Sequence, residues 1–345
     1  MIVNIKKLVL STDILPSCPK ERRARLDSYF DDVLASVTAV PEGWEIVLNW
    51  PSTADYFVDP CIEKGLAWWR PGSAISEVHM QVSYTPRGQL SLNDAWTLYS
   101  WSNWLADRRK CGHAIAEVVI LHVDDHTDLM TPRLTFQEDG LEDAISGRTF
   151  DIYEPESVRS AILSGAVGVG SFMSPFIHAF PQVHLRHLSQ TSPDEDAQDF
   201  AMVAESIPDT LLNTNAFRPA IGISKSVSAC AGHYRLTRKL TSWLSELPDA
   251  PILLHVDMDY FNNRYNGDSD WETRARKHDP DLTEILPAID KLFGAISDAG
   301  VASRIENVTV ALSPRFFPAE LWPRSIDRMQ EHLAVLGWQI GTPER

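Results

Sequence analysis

The chain has 345 residues, 44% hydrophobic and 23% charged, which is enough apolar material for a sizeable core and unlike a disordered composition. A formal net charge of −16 excludes the basic footprint that a nucleic-acid surface needs. No apolar run reaches the roughly 18 residues that span a bilayer, and four scattered cysteines without a CxxC pair read as reduced thiols.

The opening MIVNIKKLVL carries Lys6 and Lys7 inside its short apolar run, so it reads as a strand over residues 2–10 and not as a signal peptide. The expected compartment is the cytoplasm. Apolar residues at helical spacing (Leu26, Tyr29, Phe30, Val33, Leu34, Val37) predict a helix from Pro19 to about Val37. Trp44 to Trp50 reads as a strand ended by Pro51, and Ile75 to Leu90 as a hairpin turning at Pro86-Arg87-Gly88. A helix follows from Ser91-Leu92-Asn93-Asp94 to the basic end Arg108-Arg109-Lys110. Seven tryptophans between Trp44 and Trp104 point to a thick aromatic core in this first part.

Ala116 to Val123, Pro251 to Val256 and Val308 to Leu312 are nearly continuous apolar runs, the pattern of central strands covered on both faces. Helical patterns lie around them at Pro155–Ser164, Asp199–Ile207, Ser226–Leu247, Leu282–Ala299 and Pro323–Leu336. Strands alternating with helices predict a layered α/β fold with a mostly parallel central sheet. The expectation is one domain over 1–345, with 1–90 an aromatic-rich region packed onto it.

Two of the buried strands end alike, in HVDDHTD (His122 to Asp128) and HVDMDYF (His255 to Phe261). Acidic groups at the carboxyl ends of such strands stand where open α/β sheets place their ligands. In extended chain, residues two apart share a face, so Asp124, His126 and Asp128 would point one way, as would Asp257 and Asp259. Four carboxylates crowded at the end of an apolar sheet cannot all stay ionised without counter-charge. Two divalent cations would supply it, and oxygen ligands mixed with an imidazole suit Mn²⁺, with Zn²⁺, Fe²⁺ or Co²⁺ as alternatives.

These two motifs, with the block Gly168 to Phe180 (GVGSFMSPFIHAF) and the late ALSPRFFP, resemble the ureohydrolase branch of the arginase/deacetylase fold. The flanking pieces are similar to an atypical branch that includes the peptide arginases of ribosomal peptide biosynthesis. The resemblance covers roughly residues 90–320. It implies a three-layer fold and two metal ions, with Asp124 and Asp257 bridging them, Asp128 on one and His126 with Asp259 on the other. It implies hydroxide attack on the guanidinium carbon of an arginine, free or in a peptide, giving ornithine and urea. A further His of the family falls in the segment Leu92-Asn93-Asp94-Ala95, which makes Asp94 the sixth ligand, with His113 and His79 as rivals.

The guanidinium-binding Glu of arginases falls at Ala311, so another carboxylate must serve, with Glu138, Asp139 and Asp268 as candidates; Glu306 lies at the wrong end of that strand. His178 is the expected proton donor to the leaving amine and, with Asp128, is assigned to catalysis. Ser171 and Arg315 are expected to meet the substrate. Alternatives are a deacetylase-like amidohydrolase of the same fold and a non-catalytic, metal-stabilised peptide-binding protein. Oligomerisation is left open.

Overall fold

The computed structural model describes residues 8–341 except 31, 87, 114, 181, 193–196, 226–231, 268, 269 and 276. Strand β1 (Leu8–Leu10), helix α1 (Pro19–Phe30) and strands β2 (Leu34–Val40) and β3 (Gly43–Asn49) come first. Short helices α2 (Ala54–Phe57) and α3 (Ile62–Trp69) lead to the hairpin β4 (Val82–Tyr84) and β5 (Gly88–Ser91), then α4 (Trp96–Lys110) and β6 (Val118–Val123). A small meander β7 (Leu134–Gln137), β8 (Gly140–Asp143) and β9 (Thr149–Phe150) precedes α5 (Pro155–Ser164) and α6 (Met173–Ala179). Then follow β10 (Val183–Leu188), β11 (Gln198–Pro208), β12 (Phe217–Ser224), β13 (Gly232–Thr237), α7 (Leu240–Trp243) and β14 (Ile252–Asp257). Helix α8 (Leu282–Asp298), strand β15 (Ile305–Ala311) and helix α9 (Trp322–Val335) complete the chain.

Among the described residues the main sheet has nine strands in the order β12-β11-β13-β10-β6-β14-β15-β5-β4. The six from β13 to β5 run parallel, and β11, β12 and β4 add antiparallel edges. The apolar centre of β6 explains its position: every residue from Val118 to Val123 is buried. Val118 and Ile120 face one core, with α1, α4, α5 and α6, whereas Val119, Leu121 and Val123 face a second, with α3, α8 and α9. Helices therefore cover both faces, and the architecture is layered α/β with a mostly parallel sheet. β1, β3 and β2 form a separate three-stranded sheet whose Leu10, Ile46 and Leu48 join the first core.

Three helix expectations are corrected. The run from Leu34 to Val37 belongs to β2 and pairs with β3; the helix stops at Phe30. Asp199–Ile207 is inside β11, held between β12 and β13 in spite of its Ala, Met and Glu content. Of the expected helix Ser226–Leu247, residues 226–231 lie outside the described part; the rest is β13 and the short α7. In all three, backbone pairing with a neighbouring strand outweighs a weak local preference for helix. Of the opening strand, residues 2–7 likewise fall outside the described part.

Candidate metal centre

The parallel register carries the carboxyl ends of β5, β6, β14 and β15 to one edge of the sheet. Alternation along β6 puts Val118, Ile120 and His122 on one face and leads to Asp124; along β14 it does the same for Leu253, His255 and Asp257. Because β10, β6 and β14 are in register, His187, His122 and His255 stand side by side across three strands. All three imidazoles are buried.

Beyond the strand ends the chain does not stay extended. Asp124 Oδ1 accepts a hydrogen bond from the His126 amide, and Asp257 Oδ1 accepts one from the Asp259 amide at 3.0 Å. Each Asp thus folds the following residues over itself, as an Asp side chain does when it bonds the backbone two residues on. Asp128 then turns inward with φ at 52°. The acidic residues therefore converge by turning back, and the shared-face argument applies to His122 with Asp124 and to His255 with Asp257 instead.

Asp94 arrives from the loop after β5, and its Oδ1 lies 3.2 Å from Ser313 Oγ, which donates to Asp257 Oδ2 at 2.6 Å. His126 Nδ1 is 2.7 Å from Asp259 Oδ2 and 3.6 Å from Asp124 Oδ1. Asp94, Asp124, Asp128, Asp257 and Asp259 are all buried. Ligand atoms fall into three overlapping groups, each within 4.8 Å: His122, Asp124, Asp128 and His255; Asp124, His126 and Asp259; Asp94, Asp124 and Asp257. The structure thus brings together all six side chains expected as metal ligands.

Burial, and then mutual repulsion, push the carboxyls of Asp94, Asp124 and Asp257 upward, and burial does the same to Asp128. Burial opposes charge on His126, but Asp259, Asp128 and Asp257 more than offset it and hold that imidazole at about 10. Burial holds the rings of His122, His187 and His255 neutral, His187 at about 4 and His255 at about 3. Asp124 Oδ2, Asp128 Oδ2 and His255 Nε2 are buried without a hydrogen-bond partner. Orphaned acceptors in a group that repels itself call for cations, and mixed carboxylate and imidazole donors match a divalent ion. Within the first of these groups Asp124, Asp128 and His255 can hold one.

Asp94, His126, Asp128, Asp257 and Asp259 line a cavity of about 300 Å³, with Asp124 fully buried among them. Its walls include Trp50, Tyr56, Phe57, His79 and Phe316, with Asp32 and Arg315 adding charge. Trp50 and His79 stack with ring centroids 4.2 Å apart. Trp50, expected as core, is thus part of the wall. Three of the six non-glycine residues with positive φ, Asp128, Ser313 and Arg315, line this cavity among the described residues, so backbone strain is concentrated at the site. Gly168 is required where Asp32 approaches: a Cβ there would lie 2.1 Å from Asp32 Oδ2, which accepts from the Val169 amide.

Several expectations do not reach the cavity. His178 is turned to the Glu205 carbonyl, 3.1 Å from its Nε2, on the side of α6 that faces β11 and β12. Ser171 Oγ is taken up by its own turn, accepting from the Gly168 amide, while Val169 and Gly170 line the wall. Glu138 and Asp139 are exposed at the β7–β8 hairpin, and Asp268 lies outside the described residues. His113 is exposed beyond the end of α4, and Glu306 is bonded to Arg108 and Trp104 at the far end of β15. Arg315 does line the cavity; its Nη1 donates to the Tyr56 hydroxyl at 2.9 Å and its guanidinium lies over the Tyr56 ring. Asp125 points away, its carboxylate accepting from the Gln190 amide at 3.0 Å.

No family model matches the chain, and no curated protein is significantly similar to it.

The residues that sequence reasoning passed over are His122, His187 and His255. A signal for two of them was present: each stands two positions before a strand-end Asp, in HVD, and so shares its face.

Proposed function

We propose that this chain is a binuclear metal-dependent hydrolase that cleaves the guanidino group of arginine, in a peptide, releasing urea and leaving ornithine. The observation that carries the reading is the cluster of five buried carboxylates and His126, of which Asp94, His126, Asp128, Asp257 and Asp259 line an aromatic-walled cavity. Asp124 and Asp257 would be shared between two ions, Asp128 and Asp94 would complete one side, and His126 with Asp259 the other. Mn²⁺ suits this oxygen-rich set. When bound, such a pair lowers the pKa of water towards neutrality and so supplies the nucleophile.

Five carboxylates against two divalent ions leave one negative charge, which favours a cationic substrate over a neutral one. Asp32 adds another carboxylate to the same cavity. The Trp50–His79 stack and the ring of Phe316 line the cavity and suit a planar cation. Arg315, held by the Tyr56 hydroxyl and the Gly267 carbonyl, would meet a carbonyl or carboxylate of the substrate backbone. With His178 turned away, Asp128 is the member of the expected catalytic pair that lines the cavity.

Urea release from arginine-containing peptides by Mn²⁺-loaded protein tests this reading, with Asp124→Ala as the control. Urea and ornithine in equal amounts, absent from the control, are expected. Metal-loaded protein that leaves free and peptidyl arginine intact would overturn it. A metal content of one ion per chain, with release of an amine from an amide, would favour a deacetylase-like amidohydrolase.

A further inference from the structure

We propose that His255 is itself a ligand of the metal centre, through a lone pair on Nε2 that the neighbouring hydrogen bonds force it to carry. The inference rests on the metal-hydrolase reading only as far as metal binding. The argument begins at the His126 carbonyl, 3.0 Å from His122 Nε2. A carbonyl can only accept, so His122 Nε2 carries the proton. A neutral imidazole has one N–H, which leaves His122 Nδ1 as a lone pair. That atom lies 2.9 Å from His255 Nδ1. Two lone pairs cannot meet at this distance, so His255 Nδ1 is the donor and His255 Nε2 is bare.

His255 is completely buried, and its Nε2 has no hydrogen-bond partner. Nε2 lies 4.0 Å from Asp94 Oδ1, and a ring nitrogen of His255 belongs to the group of ligand atoms that includes Asp124 and Asp128. A lone pair facing carboxylates, with no donor between them, is repulsive until a cation sits among them. The ring is held in place by His122 at one edge and by Phe172, whose centroid is 5.1 Å away. His187 is used differently: its Nε2 donates to the Asp124 carbonyl at 3.0 Å and its Nδ1 takes the Tyr234 hydroxyl. Of the three imidazoles in register, His255 alone presents an unpartnered nitrogen to the carboxylates. Donation of its single N–H, at Nδ1, to His122 is the kind of support that metal-bound histidines generally have.

The test counts coordinated imidazoles by pulsed electron paramagnetic resonance on the full chain, labelled with ¹⁵N-histidine and loaded with Mn²⁺ or Cu²⁺. Two coordinated nitrogens are expected in the unmutated chain, from His126 and His255. His126→Ala should retain one, and His255→Ala should lose the other and weaken metal binding by roughly 100-fold, at or above the effect of removing a supporting group around a metal. A single coordinated nitrogen that disappears in His126→Ala would overturn the assignment, with a proton shared between His255 and Asp94 as the explanation. Should His255→Ala not fold, the count in the unmutated chain and in His126→Ala decides. A chain that takes up no divalent ion sinks this inference and the hydrolase reading together. Two coordinated imidazoles without urea release uphold it and remove only the arginine reading.

Discussion

At the scale of single residues, the centre is a place where like charges are held together against their own repulsion. Asp124 is raised by burial and by Asp128, Asp259 and Asp257 around it. Asp124→Asn removes one charge from that group without changing its shape. We expect the metal-free variant to melt higher than the metal-free parent, and to lose most of the stabilisation that Mn²⁺ confers on the parent. Thermal denaturation of both proteins with chelator and with Mn²⁺ reads the two effects; a metal-free variant less stable than its parent contradicts the account.

His79 gives a residue-scale prediction outside the ligand set. Burial lowers its imidazole from 6.5 to about 4, so the folded chain keeps it neutral where the unfolded chain takes a proton. Stability is therefore complete above pH 6.5 and declines as the pH falls towards 4. His79→Phe keeps an aromatic ring against Trp50 and removes the titration. Denaturant midpoints between pH 7 and pH 4.5 should fall less steeply for the variant, and parallel curves would refute the assignment.

At the scale of elements, the central strands carry both the core and the site. Leu121 and Leu254 are fully buried on the face opposite to His122 and His255. Leu254→Ala should cost about 2–5 kcal/mol, the range for truncating a buried leucine, measured as a shift in urea midpoint. A loss under about 1 kcal/mol would mean the strand is less tightly packed than described. The elements that were misread are those without such a core signature. β11 is exposed along much of its length, so its Ala, Met and Glu residues look helical until β12 and β13 pair with it. β2 is similar: Ala35 is its buried residue, and Val37, Thr38 and Val40 suit a strand, yet the apolar spacing runs on smoothly from α1.

At the scale of the whole molecule, the cavity is assembled from segments far apart in sequence: Trp50 and Tyr56, His79, Asp94, the turn after β6, Gly170, and the turns after β14 and β15. A ligand that joins these segments should stabilise the entire fold by mass action. Divalent metal at about 100 times its dissociation constant should add about 2.7 kcal/mol per site, reversed by chelator. Unfolding transitions that do not move with Mn²⁺ would mean that the cluster does not bind it.

The chain alone determined the apolar strands, their alternation with helices and the acidic motifs at two strand ends. Those follow from local rules, because a strand buried on both faces must be apolar and a carboxylate cannot sit in its middle. Tertiary structure alone decided that His178 and Ser171 turn away from the cavity, that Asp32 lines it, and that His255 turns its Nε2 towards the buried carboxylates. Backbone carbonyls, neighbouring amides and the register between strands fix those directions, and none of these is written in the spacing of one segment.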